Sequence, residues 1–73
     1  MTLGEKIKEL RKEKNWSLRE TAKKIGDISP SYLSDIENGR YEPSLKKLHS
    51  IAQGFGISTS YLLDIYDKQS GNV

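Results

Sequence analysis

The residues from Ser29 to Arg40 carry most of the chemistry this chain can do. They read Ser29-Pro30-Ser31-Tyr32-Leu33-Ser34-Asp35-Ile36-Glu37-Asn38-Gly39-Arg40. Leu33 and Ile36, three apart, anchor a short helix by one face and turn Ser31, Tyr32, Ser34 and Asp35 outward. Small and polar groups on an anchored helix suit a DNA major groove, where every base pair shows its own donors, acceptors and methyl group. Ser31 can donate to or accept from a base edge, and Asp35 can accept from a cytosine amino group. Tyr32 keeps two readings open: a contact to a thymine methyl or a phosphate, or a ring packed into the protein.

Phosphate contacts place a protein on DNA without reading sequence. Asn38, Arg40, Lys46 and Arg19, in that order, are the side-chain candidates. Ser29 joins them at the start of its helix, where unpaired amides can hold an oxygen. Lys23 and Lys24 are weaker candidates that suit a solvated face.

Nothing in the chain suggests catalysis. His49 is the only histidine and stands among small and charged residues, which assigns it to a surface or packing role. Ser29 and Ser31 have no base positioned by sequence, and Gly54-Phe55-Gly56 is not a phosphate loop. The chain has no cysteine, so no disulfide and no thiolate zinc site can staple it. We expect no metal, no cofactor and no enzyme activity. No apolar run approaches the roughly 20 residues that span a bilayer, and the amino terminus lacks the apolar core of a secretory signal. The expected setting is the cytoplasm, with no membrane partner.

A net charge of +2 on 73 residues does not by itself imply nucleic acid. Lys6, Lys8, Arg11, Lys12 and Lys14 crowd one segment, but Glu5, Glu9 and Glu13 alternate with them as on a solvated helix face.

The elements that must position these groups are all helical. Thr2 and Glu5 have capping-box spacing, and a helix follows from about Leu3 to Lys14, with Leu3, Ile7 and Leu10 inward. Asn15 is its exit and Trp16 packs back. Ser17 and Glu20 form the clearest capping box, opening a helix with Leu18, Ala22 and Ile25 inward and Gly26 as its stop. Ser29 and Pro30 suit the cap and first position of a third helix that Gly39 ends. Ser44 caps a fourth, with Leu45, Leu48 and Ala52 as the inner stripe, Ile51 beside it and Phe55 beyond. Ser58 caps a fifth carrying Tyr61, Leu62, Ile65 and Tyr66. One domain is expected over 1–66, followed by a polar tail over 67–73.

From about Leu3 to Ile65 the chain resembles the Cro/C1-type helix-turn-helix domain, also called the XRE family. The matching pieces are Ile7-Lys8-Glu9-Leu10-Arg11, Ser17-Leu18-Arg19-Glu20-Thr21-Ala22, Ile28-Ser29-Pro30-Ser31-Tyr32-Leu33-Ser34, Ile36-Glu37-Asn38-Gly39, Pro43-Ser44-Leu45 and Ile51-Ala52. Each is weak alone; their order and spacing are specific. The resemblance implies an all-α, compact five-helix bundle of lambda-repressor-like type, with the helix-turn-helix formed by helices 2 and 3. It implies base-reading positions at Pro30, Ser31 and Asp35, with Tyr32 and Ser34 nearby, and a phosphate-binding asparagine at Asn38. It also implies a partly buried salt bridge between Arg11 and Glu37.

Four departures stand out. Leu18 replaces a glutamine that braces the recognition helix, and Thr21 replaces a core leucine, which should loosen packing. The turn Gly26-Asp27-Ile28-Ser29 is one residue longer than usual, so Asp27 should bulge outward. Pro30 removes a glutamine-like base reader.

The partner implied is a double-stranded DNA operator bound as a homodimer. RNA polymerase or a cognate protein is a further possible partner. Tyr61, Leu63 and Tyr66 of the fifth helix have apolar surface to spare for a dimer, although the same helix could simply cap the monomer. The rival reading is a protein-interaction module, antitoxin-like or an adaptor, with weak or lost DNA binding. Leu18 and Pro30 favour that rival; Asn38, Arg40 and the cap amides oppose it.

Overall fold

The computed structural model describes residues 1–69. Five α-helices follow one another: α1 Leu3–Glu13, α2 Leu18–Ile25, α3 Pro30–Glu37, α4 Leu45–Phe55 and α5 Thr59–Gln69. No strand occurs among the described residues.

Local chemistry sets nearly every helix start. Thr2 Oγ1 accepts from the Glu5 amide at 3.1 Å while the Thr2 amide donates to Glu5 Oε1 at 2.8 Å. Ser17 and Glu20 repeat the exchange at 3.0 and 2.8 Å. Ser29, Ser44 and Ser58 cap α3, α4 and α5 through the amides of Tyr32, Lys47 and Tyr61. Gly26 ends α2 at a φ of 82°, which a side chain would disfavour.

The core joins Leu3 and Ile7 of α1, Leu33 and Ile36 of α3, Leu48, Ile51, Ala52 and Phe55 of α4, and Leu62 of α5. Trp16 closes one side by stacking on Phe55, with ring centroids 5.7 Å apart. An eight-residue helix cannot persist alone in water, so α3 exists because α1 and α2 hold it.

Three expectations need correction. Leu45 is 63% exposed, and the inner stripe of α4 begins one turn later at Leu48. Thr21 does not loosen the core: it is fully buried, and its hydroxyl donates to the Ser17 carbonyl at 2.8 Å, so the shorter side chain satisfies itself. The helix runs past the expected tail boundary at Asp67, and Lys68 Nζ lies 3.3 Å from Asp64 one turn back. Residues 70–73 of that tail lie outside the described residues.

Candidate nucleic-acid interface

At 3.6 residues per turn, positions i, i+3, i+4 and i+7 share one side of a helix. On α3 these are Ser31, Ser34, Asp35 and Asn38, with Ser31 and Asn38 exposed and Ser34 and Asp35 half-buried. The opposite side, Leu33, Ile36 and Glu37, is buried. Pro30 is exposed at the edge of this stripe. It lines a cleft with Arg19, Ala22, Lys23, Gly26 and Ile28.

Tyr32 takes the second of its two readings. It is half-buried, its ring meets the Tyr41 ring edge-on at 4.9 Å, and Lys47 Nζ sits 6.0 Å from its centroid. Burial, then the neighbouring Tyr41 and Asp27, raise its hydroxyl above the ordinary tyrosine value. Such a ring points toward α4 and the α3–α4 loop rather than standing free in a groove.

The phosphate candidates differ in what they have left to offer. Asn38 caps the end of α3, and its Nδ2 donates to the Ser34 carbonyl at 2.9 Å and makes a longer contact of 3.4 Å with Ser34 Oγ. Arg40 is exposed, with Nη1 3.6 Å from Asp35 Oδ1. Arg19 and Lys46 are exposed on α2 and α4. Ser29 Oγ is occupied as the α3 cap. Behind the Ser17 cap, the amides of Leu18 and Arg19, in the first turn of α2, make no hydrogen bond to the described residues. Leu18 itself packs, half-buried, against the core.

Arg11 and Glu37 fasten α3 from behind. Arg11 Nε donates to Glu37 Oε2 at 2.7 Å, Nη2 to Oε1 at 3.0 Å, and Nη1 to the Trp16 carbonyl at 3.0 Å. One guanidinium thus joins α1, the α1–α2 connection and the end of α3, as a planar fork allows.

Two functional positions escaped the sequence. Gly4 lies where α1 meets the carbonyl oxygens of Ile36 and Glu37, and a Cβ would strike both. A glycine inside a helical pattern was the available signal. Lys47 reaches back to Asp27, so the extra turn residue is held against α4 instead of bulging freely. That pairing spans twenty residues, and no local pattern announces it.

The residues proposed for a dimer are not one patch. Tyr61 flanks α1, with Lys6 Nζ 5.5 Å from its ring centroid. Tyr66 lies on the other flank, its hydroxyl donating to Glu42 at 3.2 Å, and half-buried Leu63, three residues away, shares that side. His49 Nδ1 lies 2.7 Å from Thr59 Oγ1, tying α4 to α5.

No group of residues suited to a metal ion occurs among the described residues. No helix among them is long and apolar enough to cross a membrane.

Residues 7–62 match a family model described as helix-turn-helix. The immunity repressor protein of Bacillus phage phi105 is 43% identical over 63 residues, 86% of this chain and 43% of that protein. The crystal structure of SinR, the master regulator for biofilm formation, in complex with DNA aligns with a TM-score of 0.78 and 41% identity. It covers 86% of this chain and 100% of that one. A complex of the SinR and SinI proteins aligns with a TM-score of 0.77 and 37% identity, covering 99% of this chain and 68% of that one. The chain spans about half the length of the first curated relatives it matches.

Proposed function

The chain belongs to the Cro/C1-type helix-turn-helix family, and on that premise we propose that it is a transcriptional regulator binding double-stranded DNA through α3. The carrying observation is the polar outer stripe Ser31, Ser34, Asp35 and Asn38 on a helix whose other side is locked into the core. Likeness to SinR in its DNA complex supports this. In this reading Ser31 and Asp35 face base edges, while Arg40, Arg19, Lys46 and the exposed Asn38 amide, exchanging its long contact with Ser34 Oγ, hold phosphates. Pro30, which has no polar side-chain atom, contributes an apolar contact.

The protein acts as a dimer on a palindromic operator, with two copies of α3 in successive major grooves about 34 Å apart. Its interface is the α5 flank bearing half-buried Leu63 and Tyr66. Tyr61 is peripheral to it. Occupancy then represses by excluding RNA polymerase. Sedimentation should show two protomers on a two-half-site duplex; a single protomer there would reject the dimer.

A second reading, a module that docks a protein partner, has in its favour, besides Leu18 and Pro30, the likeness to SinR in its complex with SinI. Titrating labelled random duplex at two salt concentrations separates the two. Binding through several phosphates weakens steeply with salt, whereas a protein-only module shows no saturable duplex binding. Residue roles are tested on duplexes selected from a random pool. Arg40→Ala and Asn38→Ala should weaken binding across all sequences, and Ser31→Ala and Asp35→Ala should change the preferred base. Equal losses on every duplex for all four would refute these roles.

A further inference from the structure

We propose that Lys47 is a positioning residue for sequence reading: from α4 it fastens the lengthened α2–α3 turn and the first turn of α3, setting the angle of the recognition helix. This role rests on the DNA-binding reading above.

Lys47 Nζ donates to the Asp27 carbonyl at 2.8 Å and lies 3.2 Å from Asp27 Oδ2. It also sits 6.0 Å from the centroid of the Tyr32 ring, within cation–π range. An ammonium has three donors and no acceptor. Two are engaged by Asp27, and the ring of Tyr32 lies beside the ammonium, so a phosphate would have to compete with partners already in place. Ser50 Oγ lies 3.3 Å from the same Asp27 oxygen, one turn further along α4. Tyr32 in turn abuts Tyr41 of the α3–α4 loop.

The two ends of α3 are held very differently. Its carboxyl end is set by the buried Arg11–Glu37 pair and by the close approach of α1 at Gly4. Its amino end, which carries Ser31, follows a turn of four residues in which only Ile28 packs against the core. A helix of eight residues is about 12 Å long. Pivoting it by about 10° about its carboxyl end moves the amino end by about 2 Å, several times the tolerance of a hydrogen bond. Lys47 opposes that pivot. Its ammonium therefore acts on base reading without touching DNA.

The test uses Lys47→Met, which keeps the apolar stem, with Lys47→Arg as the conservative variant. Binding is measured on a selected and on a random duplex at several salt concentrations, with a thermal melt to establish folding. Lys47→Met should weaken the selected duplex by roughly three- to tenfold, the net worth of about one hydrogen bond. The random duplex should change little and the salt slope should stay as in the parent protein, while Lys47→Arg restores the preference. In the free protein, NMR titration of Asp27 should show its carboxyl rising toward the ordinary aspartate value in Lys47→Met. Should Lys47→Met fail to fold, Asp27→Asn in the exposed turn gives the same comparison.

Equal weakening on both duplexes with the slope reduced by about one ion would make Lys47 a phosphate ligand and overturn the proposal. Unchanged binding to both would overturn it too. Parent protein that binds neither duplex would instead refute the DNA-binding reading, and the Asp27 titration would still decide whether Lys47 fastens the turn.

Discussion

Removing the Arg11 guanidinium should cost this protein a large part of its stability. The side chains of Arg11 and Glu37 are 14% and 4% exposed, so water cannot take the place of a lost partner. Arg11→Ala strands the Glu37 carboxylate and also frees the Trp16 carbonyl. Breaking such a pair costs about 3–5 kcal/mol. At 0.05–0.15 kcal/mol per residue, a chain of 73 residues has roughly 4–11 kcal/mol in all. With a urea dependence of about 1 kcal/mol per molar for a small domain, the midpoint should fall by about 3 M or more. Trp16 is the only tryptophan and stacks on Phe55, so its fluorescence reports the transition. Circular dichroism should give the same midpoint. The double variant Arg11→Met with Glu37→Leu removes both charges and fills similar volume, and should recover most of the loss. An Arg11→Ala midpoint close to that of the parent, or a double variant no better than the single one, would refute this account of the pair.

Three further outcomes are expected. Gly4→Ala should destabilise by about 1–3 kcal/mol because its Cβ meets backbone carbonyls that cannot rotate away; a parent-like melting temperature would contradict this. Ser17→Ala should cost about 1 kcal/mol by opening the α2 capping box, read from the same urea titration. Acid should also weaken the fold through Asp27. Hydrogen bonding to Lys47 lowers the Asp27 carboxyl below its ordinary value. Its contribution is therefore present above the unfolded aspartate value, near 3.9, and is lost as pH falls through the lower folded value. Asp27→Asn should flatten stability against pH below about 4, and an unchanged acid limb would exclude Asp27 as its source.

What the sequence revealed divides by distance along the chain. The caps at Thr2, Ser17, Ser29, Ser44 and Ser58 each involve an amide three residues away, and all five are present. Helix order and core followed from periodicity for the same reason. The errors concern contacts made across elements or placed by them. Leu45 has the right spacing for the α4 stripe, but as the first residue of α4 it is left exposed, and the buried stripe begins at Leu48. Thr21 was read by size, although its hydroxyl could be satisfied within its own helix. Asp27 was read as an outward bulge because its partners lie 20 and 23 residues further on.

The outer stripe of α3 was legible from spacing and the Arg11–Glu37 pair from the family resemblance, whereas the Gly4 contact and the Lys47–Asp27 pair were not. The residues proposed to face bases sit within one short helix, so spacing alone puts them on one side. The setting of that helix in the fold depends on Arg11 and Gly4 of α1 at one end and on Lys47 of α4 at the other. These fasteners differ in kind. The Arg11–Glu37 pair is buried, and breaking it threatens the fold itself. The Lys47–Asp27 pair is more exposed, at 32% and 43%, and solvent can take over its partners at smaller cost to stability. A change at Lys47 should therefore leave a protein that still folds, in which the proposed effect on sequence preference can be measured, whereas a change at Arg11 should remove the fold itself.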